Sequence, residues 1–93
     1  MVALVDPVHT MNYDGTMVKI YHPNKGEGIP MHSHGYSHAT ICMTGSCKLT
    51  QEGKSVITTK TSIPVNLLAG KFHEIEALED GTVFVNVFAE GKY

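Results

Sequence analysis

Residues 26–45 read GEGIPMHSHGYSHATICMTG, and the spacing of their histidines decides how the rest of the chain is understood. His32, His34 and His38 sit close together, followed by a strand-forming run that ends at Gly45. Residues i and i+2 of an extended strand face the same side, about 7 Å apart at a rise of about 3.3 Å per residue, so His32 and His34 can converge on one ion. Fully extended, His34 and His38 would stand roughly 13 Å apart, too far to share an ion whose bonds to nitrogen are near 2 Å. The chain must therefore bend between them. Gly35, which lacks Cβ and tolerates positive φ, is suited to supply that bend. His38 would then open the next strand and face inward. His73, in AGKFHEI, would have to come from a strand that the fold brings across the site.

Outward from this segment, turn signals recur at short intervals: Asp6-Pro7, Asp14-Gly15, Asn24 to Gly28, Gly45, Glu52-Gly53-Lys54, Ala69-Gly70, Asp80-Gly81 and Glu90-Gly91. Between them lie β-rich runs at about Met17 to Tyr21, Ala39 to Met43, Cys47 to Gln51, Val56 to Thr59, Val65 to Leu68, Phe72 to Ala77 and Thr82 to Phe88. Nine Val, six Ile and nine Thr against five Leu and five Ala favour strands over helices. No segment repeats apolar residues at helical spacing over three turns. The expected architecture is all-β, a single antiparallel sandwich or barrel. With 93 residues, 42% hydrophobic, there is material for one core and one domain, residues 1–93.

Composition also removes whole classes of function. The net charge of −2 carries no polybasic signature, so neither nucleic acid nor an anionic membrane is an expected partner. No apolar run reaches 18 residues, and the start MVALVDPVHTMNYD does not read as a secretory leader, so a cytoplasmic location is expected. Two Cys make no disulfide framework. HEIEA fails the H-E-x-x-H pattern, GEGIPM lacks the third Gly of a dinucleotide loop, and no G-x-S-x-G occurs. All seven basic residues are Lys, so an anionic substrate would have to be held by Lys, by backbone N–H groups or by a metal ion, without the bidentate fork of Arg.

The same segment resembles the first motif of the cupins: Gly26, five residues, His32, one residue, His34, three residues, an acidic position, six residues, Gly45. The acidic position holds His38 here. The second cupin motif is matched more loosely. Gly70, two residues and His73 fit it, whereas Ser62 stands where Gly is usual, Leu68 where Pro is, and Ala77 where Asn is. The resemblance spans residues 26 to 77 and implies a small conserved β-barrel of jelly-roll type enclosing a divalent metal. The His at the acidic position looks like the four-histidine cupins, which implies His32, His34, His38 and His73 as ligands. His38 also has a second reading, as a hydrogen-bond partner of a ligand.

Other residues take weaker assignments. His9, after Pro7 in an expected loop, and His22, before Pro23, read as surface positions. A two-residue turn at Thr44-Gly45 would set Cys42 and Cys47 opposite each other on adjacent strands. By alternation Thr40, Cys42, Cys47 and Leu49 point inward and, with Tyr36 and Phe72, are the candidates for a substrate pocket. The two thiols read as reduced core residues, as a redox-sensitive pair, or as ligands or nucleophiles. Glu74 and Glu76, opposite in parity to His73, belong on the outer face.

Four neutral imidazoles leave the full +2 charge on an ion, which attracts anions and acidifies bound water. With six-coordinate Fe or Mn, the favoured metals, or Co or Ni, two positions stay open for substrate. Tetrahedral Zn would be saturated; Cu is also possible. The resemblance therefore implies a dioxygenase-like oxidoreductase acting on a small anionic or chelating substrate. The alternatives are a non-catalytic ligand-binding or sensing module and a purely structural metal site. Unpaired sheet edges favour a homodimer.

Overall fold

Each of the β-rich runs becomes a strand in the computed structural model, which describes residues 2–90. The strands are β1 (Ala3–Leu4), β2 (His9–Tyr13), β3 (Thr16–Tyr21), β4 (Glu27–His32), β5 (His38–Thr44), β6 (Ser46–Gln51), β7 (Lys54–Thr59), β8 (Val65–Leu67), β9 (His73–Ala77) and β10 (Val83–Ala89). No helix occurs among the described residues. Gly91, the second residue of the last turn signal, lies outside them.

Two five-stranded sheets result, in the orders β1-β4-β9-β6-β7 and β2-β3-β10-β5-β8. Every pairing is antiparallel except that of β1 with β4. The inner faces meet in one core. Tyr21, Cys42, Leu67 and Phe84 come from one sheet, and Ile29, Cys47, Leu49 and Ile75 from the other. Phe84 is fully buried and stacks on Tyr21, with ring centroids 4.6 Å apart. The period-two pattern of the strands thus produces the expected all-β architecture.

The sequence expectations are corrected at four points. His9 lies on β2, an edge strand exposed along its whole length, and not in a loop. Its surface position stands, and His22 is exposed too. Residues 27–32 form β4, a strand absent from the expected β-rich runs and overlapped by the turn signal Asn24 to Gly28. Gly28 is needed because a Cβ there would run into the Ile75 carbonyl oxygen of β9. Pro30, which has no N–H to donate, falls where the β4–β9 register shifts, between Ile29 and His32.

The third correction concerns Thr44-Gly45. These residues do not close a hairpin between adjacent strands, because β5 is flanked by β10 and β8 while β6 is flanked by β9 and β7. Both edges of each strand are filled, and the turn instead carries the chain from one sheet to the other. Gly45 sits there at φ 76°, against Thr82, which would collide with any Cβ. Cys42 and Cys47 consequently face the core from opposite sheets, both buried and both reduced.

The fourth correction is at Gly35. The chain does bend at Gly35 and Tyr36, but the φ of Gly35 is not positive, and a Cβ added there would meet nothing within 4 Å. Gly35→Ala should therefore change stability by no more than about 0.5 kcal/mol and leave metal uptake intact. A thermal melt and a metal titration of the variant check this; a large loss in either would show that the bend needs glycine.

Candidate metal centre

The register of the strands brings the histidines to one end of the two sheets. In one sheet His32, the last residue of β4, lies opposite His73, the first of β9, and Gln51 of β6 lies on the other side of His73. In the second sheet His38 opens β5 opposite Leu67 of β8. His34 stands in the connection between β4 and β5. Ring centroids are separated by 5.1 Å for His32 and His34, 4.4 Å for His32 and His73, and 4.7 Å for His34 and His73. One ligand nitrogen from each of these three can be chosen so that all lie within 4.8 Å of one another. His38 is adjacent, its ring 5.2 Å from that of His34 and 5.3 Å from that of His73.

Hydrogen bonding fixes which nitrogen each ring offers. Nδ1 of His32 lies 2.8 Å from the Pro30 carbonyl oxygen, that of His34 2.7 Å from the Tyr36 carbonyl, and that of His73 3.0 Å from the Lys71 carbonyl. A carbonyl can only accept, so each Nδ1 carries the proton and donates. Each neutral ring is left with a lone pair on Nε2. Nε2 of His34 and of His73 are buried and have no hydrogen-bond partner among the described residues. Buried nitrogens with lone pairs and nothing to accept from are costly unless a cation or donor meets them, so the donor set fits a divalent transition metal.

Burial acts in the same direction. Desolvation, followed by repulsion from neighbouring imidazoles, pushes the His38 and His73 pKa values down to about 4 from the ordinary 6.5. Desolvation also lowers that of His34, against the raising effect of its bond to Tyr36. The rings are thus ready as neutral ligands well below the pH at which a free histidine would protonate. For stability the sign is as follows. The unfolded chain takes up protons near 6.5 that the folded chain refuses until about 4, so stability is full above 6.5 and declines as pH falls through that window. The metal-free protein should show a melting temperature that is flat above pH 7 and drops between pH 6.5 and 4. A flat profile across that window would contradict the burial of these rings.

The remaining candidates fall into two groups. Tyr36 stacks on His34 at 4.0 Å and 13° and neighbours Phe88 at 5.7 Å, so it braces a candidate ligand. Thr40 is buried beside His38, with Oγ1 3.3 Å from Nδ1. Cys42, Cys47 and Leu49 point inward and belong to the apolar core cluster. Burial raises the thiol pKa of both cysteines, that of Cys47 to about 12, so neither is a thiolate at neutral pH. Phe72 is 56% exposed and borders His73 on the surface. Glu74 and Glu76 are half-buried and alternate with the buried His73, Ile75 and Ala77.

Three supporting residues were not anticipated from the sequence. Gln51 accepts from Leu68 N at 2.7 Å and donates to Asn66 O at 3.3 Å, which ties β6 to the end of β8. Ser37 Oγ accepts from Ala69 N at 2.9 Å, and His34 O from Gly70 N at 2.8 Å, so the histidine loop is held against the loop before β9. Asn86, fully buried on β10, accepts at Oδ1 from Thr40 Oγ1 at 2.6 Å. The signal for Asn86 was present in VFVNVFA, where one amide interrupts an apolar run.

No protein-family model and no curated protein sequence matches the chain. Solved structures do resemble it. KdgF from Halomonas sp. superposes with a TM-score of 0.79 at 14% identity, over 87% of this chain and 74% of that one. An RmlC-like cupin from Shewanella frigidimarina gives 0.77 at 13% identity, over 95% and 84%. Bacillus subtilis oxalate decarboxylase, in a structure concerned with its Mn(II) centres, gives 0.68 at 23% identity, over 85% of this chain but 22% of that one.

Proposed function

Starting from a chain that has the cupin fold, we propose that it holds one divalent transition metal through Nε2 of His32, His34 and His73, with His38 as the fourth ligand, and acts as a dioxygenase-like oxidoreductase on a small anionic or chelating substrate. The observation that carries this reading is the set of Nδ1–H bonds to backbone carbonyls, which leaves three Nε2 lone pairs on neighbouring rings. When bound, an ion held by neutral imidazoles keeps its full +2 charge and supplies attraction for an anion and Lewis acidity toward it. Iron or manganese suits this role, because six-coordination leaves two positions beyond four histidines.

The chain's own residues hold the rings in place and bury two of them. The carbonyls of Pro30, Tyr36 and Lys71 orient three imidazoles, and the Tyr36 ring covers one face of His34. His38 and His73 are buried, as an ion site of low dielectric requires. The same reading puts the protein in the cytoplasm as a homodimer. The edge strand β2, HTMNY, supports the dimer, because it carries none of the Lys, Glu or Pro residues that commonly discourage edge pairing.

Elemental analysis of protein purified without added metal, followed by oxygen-uptake assays with small hydroxy and keto acids, tests the proposal. One iron or manganese per chain with oxygen consumption is expected. Full occupancy by zinc with no oxygen uptake would rule out the oxidoreductase.

A further inference from the structure

Three rings of the centre take the acceptor for Nδ1–H from the backbone, whereas Nδ1 of His38 meets a side chain, the Thr40 hydroxyl at 3.3 Å. Thr40 is in register with Asn86 of β10, and its Oγ1 donates to Asn86 Oδ1 at 2.6 Å. His38, Thr40 and Asn86 are all buried, so a short row of side chains runs from the central strand of this sheet to the fourth histidine.

The polarity of the row follows from its shortest bond. A hydroxyl has one proton to give. Because that of Thr40 goes to Asn86, its oxygen can only accept from the imidazole, and Nδ1 of His38 carries the proton of the neutral ring. The separation supports this direction, since 2.6 Å is ordinary for O–H···O and shorter than N–H···O bonds usually are. An amide turned end for end would donate its own N–H to Thr40, and the hydroxyl would then donate to His38 Nδ1. That ring would hold its proton on Nε2 and have no lone pair to offer a cation. The observed direction leaves Asn86 Nδ2 buried without a hydrogen-bond partner among the described residues, a cost that leucine at the same position would not carry.

We propose that Asn86 is a positioning residue for the metal centre: acting through Thr40, it fixes His38 in the tautomer that presents Nε2 to the ion. This inference rests on the metal-binding reading above and names the pair of side chains that decides between three and four histidine ligands. His32, His34 and His73 can bring one nitrogen each within 4.8 Å of one another and are oriented by carbonyls, so they keep an ion without help from the row. Only His38 changes its coordinating atom when the amide changes direction.

The test reads tautomer and affinity separately. Long-range proton–nitrogen correlation spectra of metal-free protein with labelled histidine report which ring nitrogen carries the proton, the His38 signals being identified by their loss in His38→Gln. Wild type should show His38 protonated on Nδ1. Asn86→Leu removes the acceptor, so Thr40 turns its proton toward the imidazole and the Nε2–H form should replace it, while His32, His34 and His73 keep their tautomers. Manganese affinity should fall about 10–100-fold in Asn86→Leu and in Thr40→Val. Thr40→Ser, which keeps the hydroxyl, should match wild type in both readouts, and the two Thr40 variants carry the test where Asn86→Leu does not fold. An Nε2–H His38 in wild type, an unchanged tautomer in Asn86→Leu, wild-type affinity in Asn86→Leu and Thr40→Val, or equal losses in Thr40→Ser and Thr40→Val would each overturn the inference and leave a three-histidine site standing. Wild type that shows the Nδ1–H tautomer but takes up no manganese overturns the metal-binding reading instead, and the coordinating role of His38 with it.

Discussion

Replacing His73 by alanine should abolish metal binding at micromolar concentrations, while His9→Ala should bind as wild type does. His73 is fully buried, and the rings of His32, His34 and His38 each lie within 5.3 Å of its own. Its Nδ1 is committed to the Lys71 carbonyl and its Nε2 has no partner among the described residues, so the ring has one coordinating atom and one direction in which to use it. Residues that merely orient a ligand usually cost 10–100-fold in metal affinity when removed, so loss of a ligand should cost about 100-fold or more. His9 lies on the exposed strand β2, away from the centre, with its ring 6.4 Å from that of His22. Titration of both variants, with a melting curve of each metal-free protein in parallel, separates lost ligation from lost folding. Equal affinity in the two would mean that the centre is assigned to the wrong histidines.

The second large effect concerns the core that positions the site. Phe84→Ala should destabilise the protein by about 3–5 kcal/mol, a large part of the roughly 5–15 kcal/mol that holds a domain of this kind together. Phe84 is fully buried, stacks on Tyr21 with 9° between the rings, and lies on β10, the central strand of its sheet. Truncation would leave a cavity that two sheets pinned by their own hydrogen bonds cannot collapse around. Urea unfolding of the metal-free protein measures the change, and a loss below about 1 kcal/mol would show that the sheets repack. β10 also carries Asn86, so loosening at Phe84 should reach the Thr40 and His38 end of the strand as well.

What the sequence discloses is local, and what it conceals depends on which strands become neighbours. The i, i+2 spacing of His32 and His34 shows that both rings can reach one point, even though β4 ends at His32 and His34 lies just beyond it. The inward parity of Thr40, Cys42, Cys47 and Leu49 likewise follows from alternation along single strands. Pairing partners do not follow from local pattern. The hairpin expected at Thr44-Gly45 fails because β5 and β6 each find two other neighbours, a choice made by sequence-distant contacts. Strand β4 is concealed by Gly28 and Pro30, which act as a close-approach site and a register-shift residue only once β9 lies alongside. The tautomers of the histidines are beyond any spacing argument, because they are fixed by carbonyls whose direction is set by the folded backbone.

Anomalous diffraction at the metal edge, from crystals of protein loaded with iron or manganese, tests the account most directly. A single peak about 2.0–2.3 Å from Nε2 of His32, His34, His38 and His73 is the predicted result. Four rings with only solvent between them, and the anomalous signal elsewhere or absent, would contradict it.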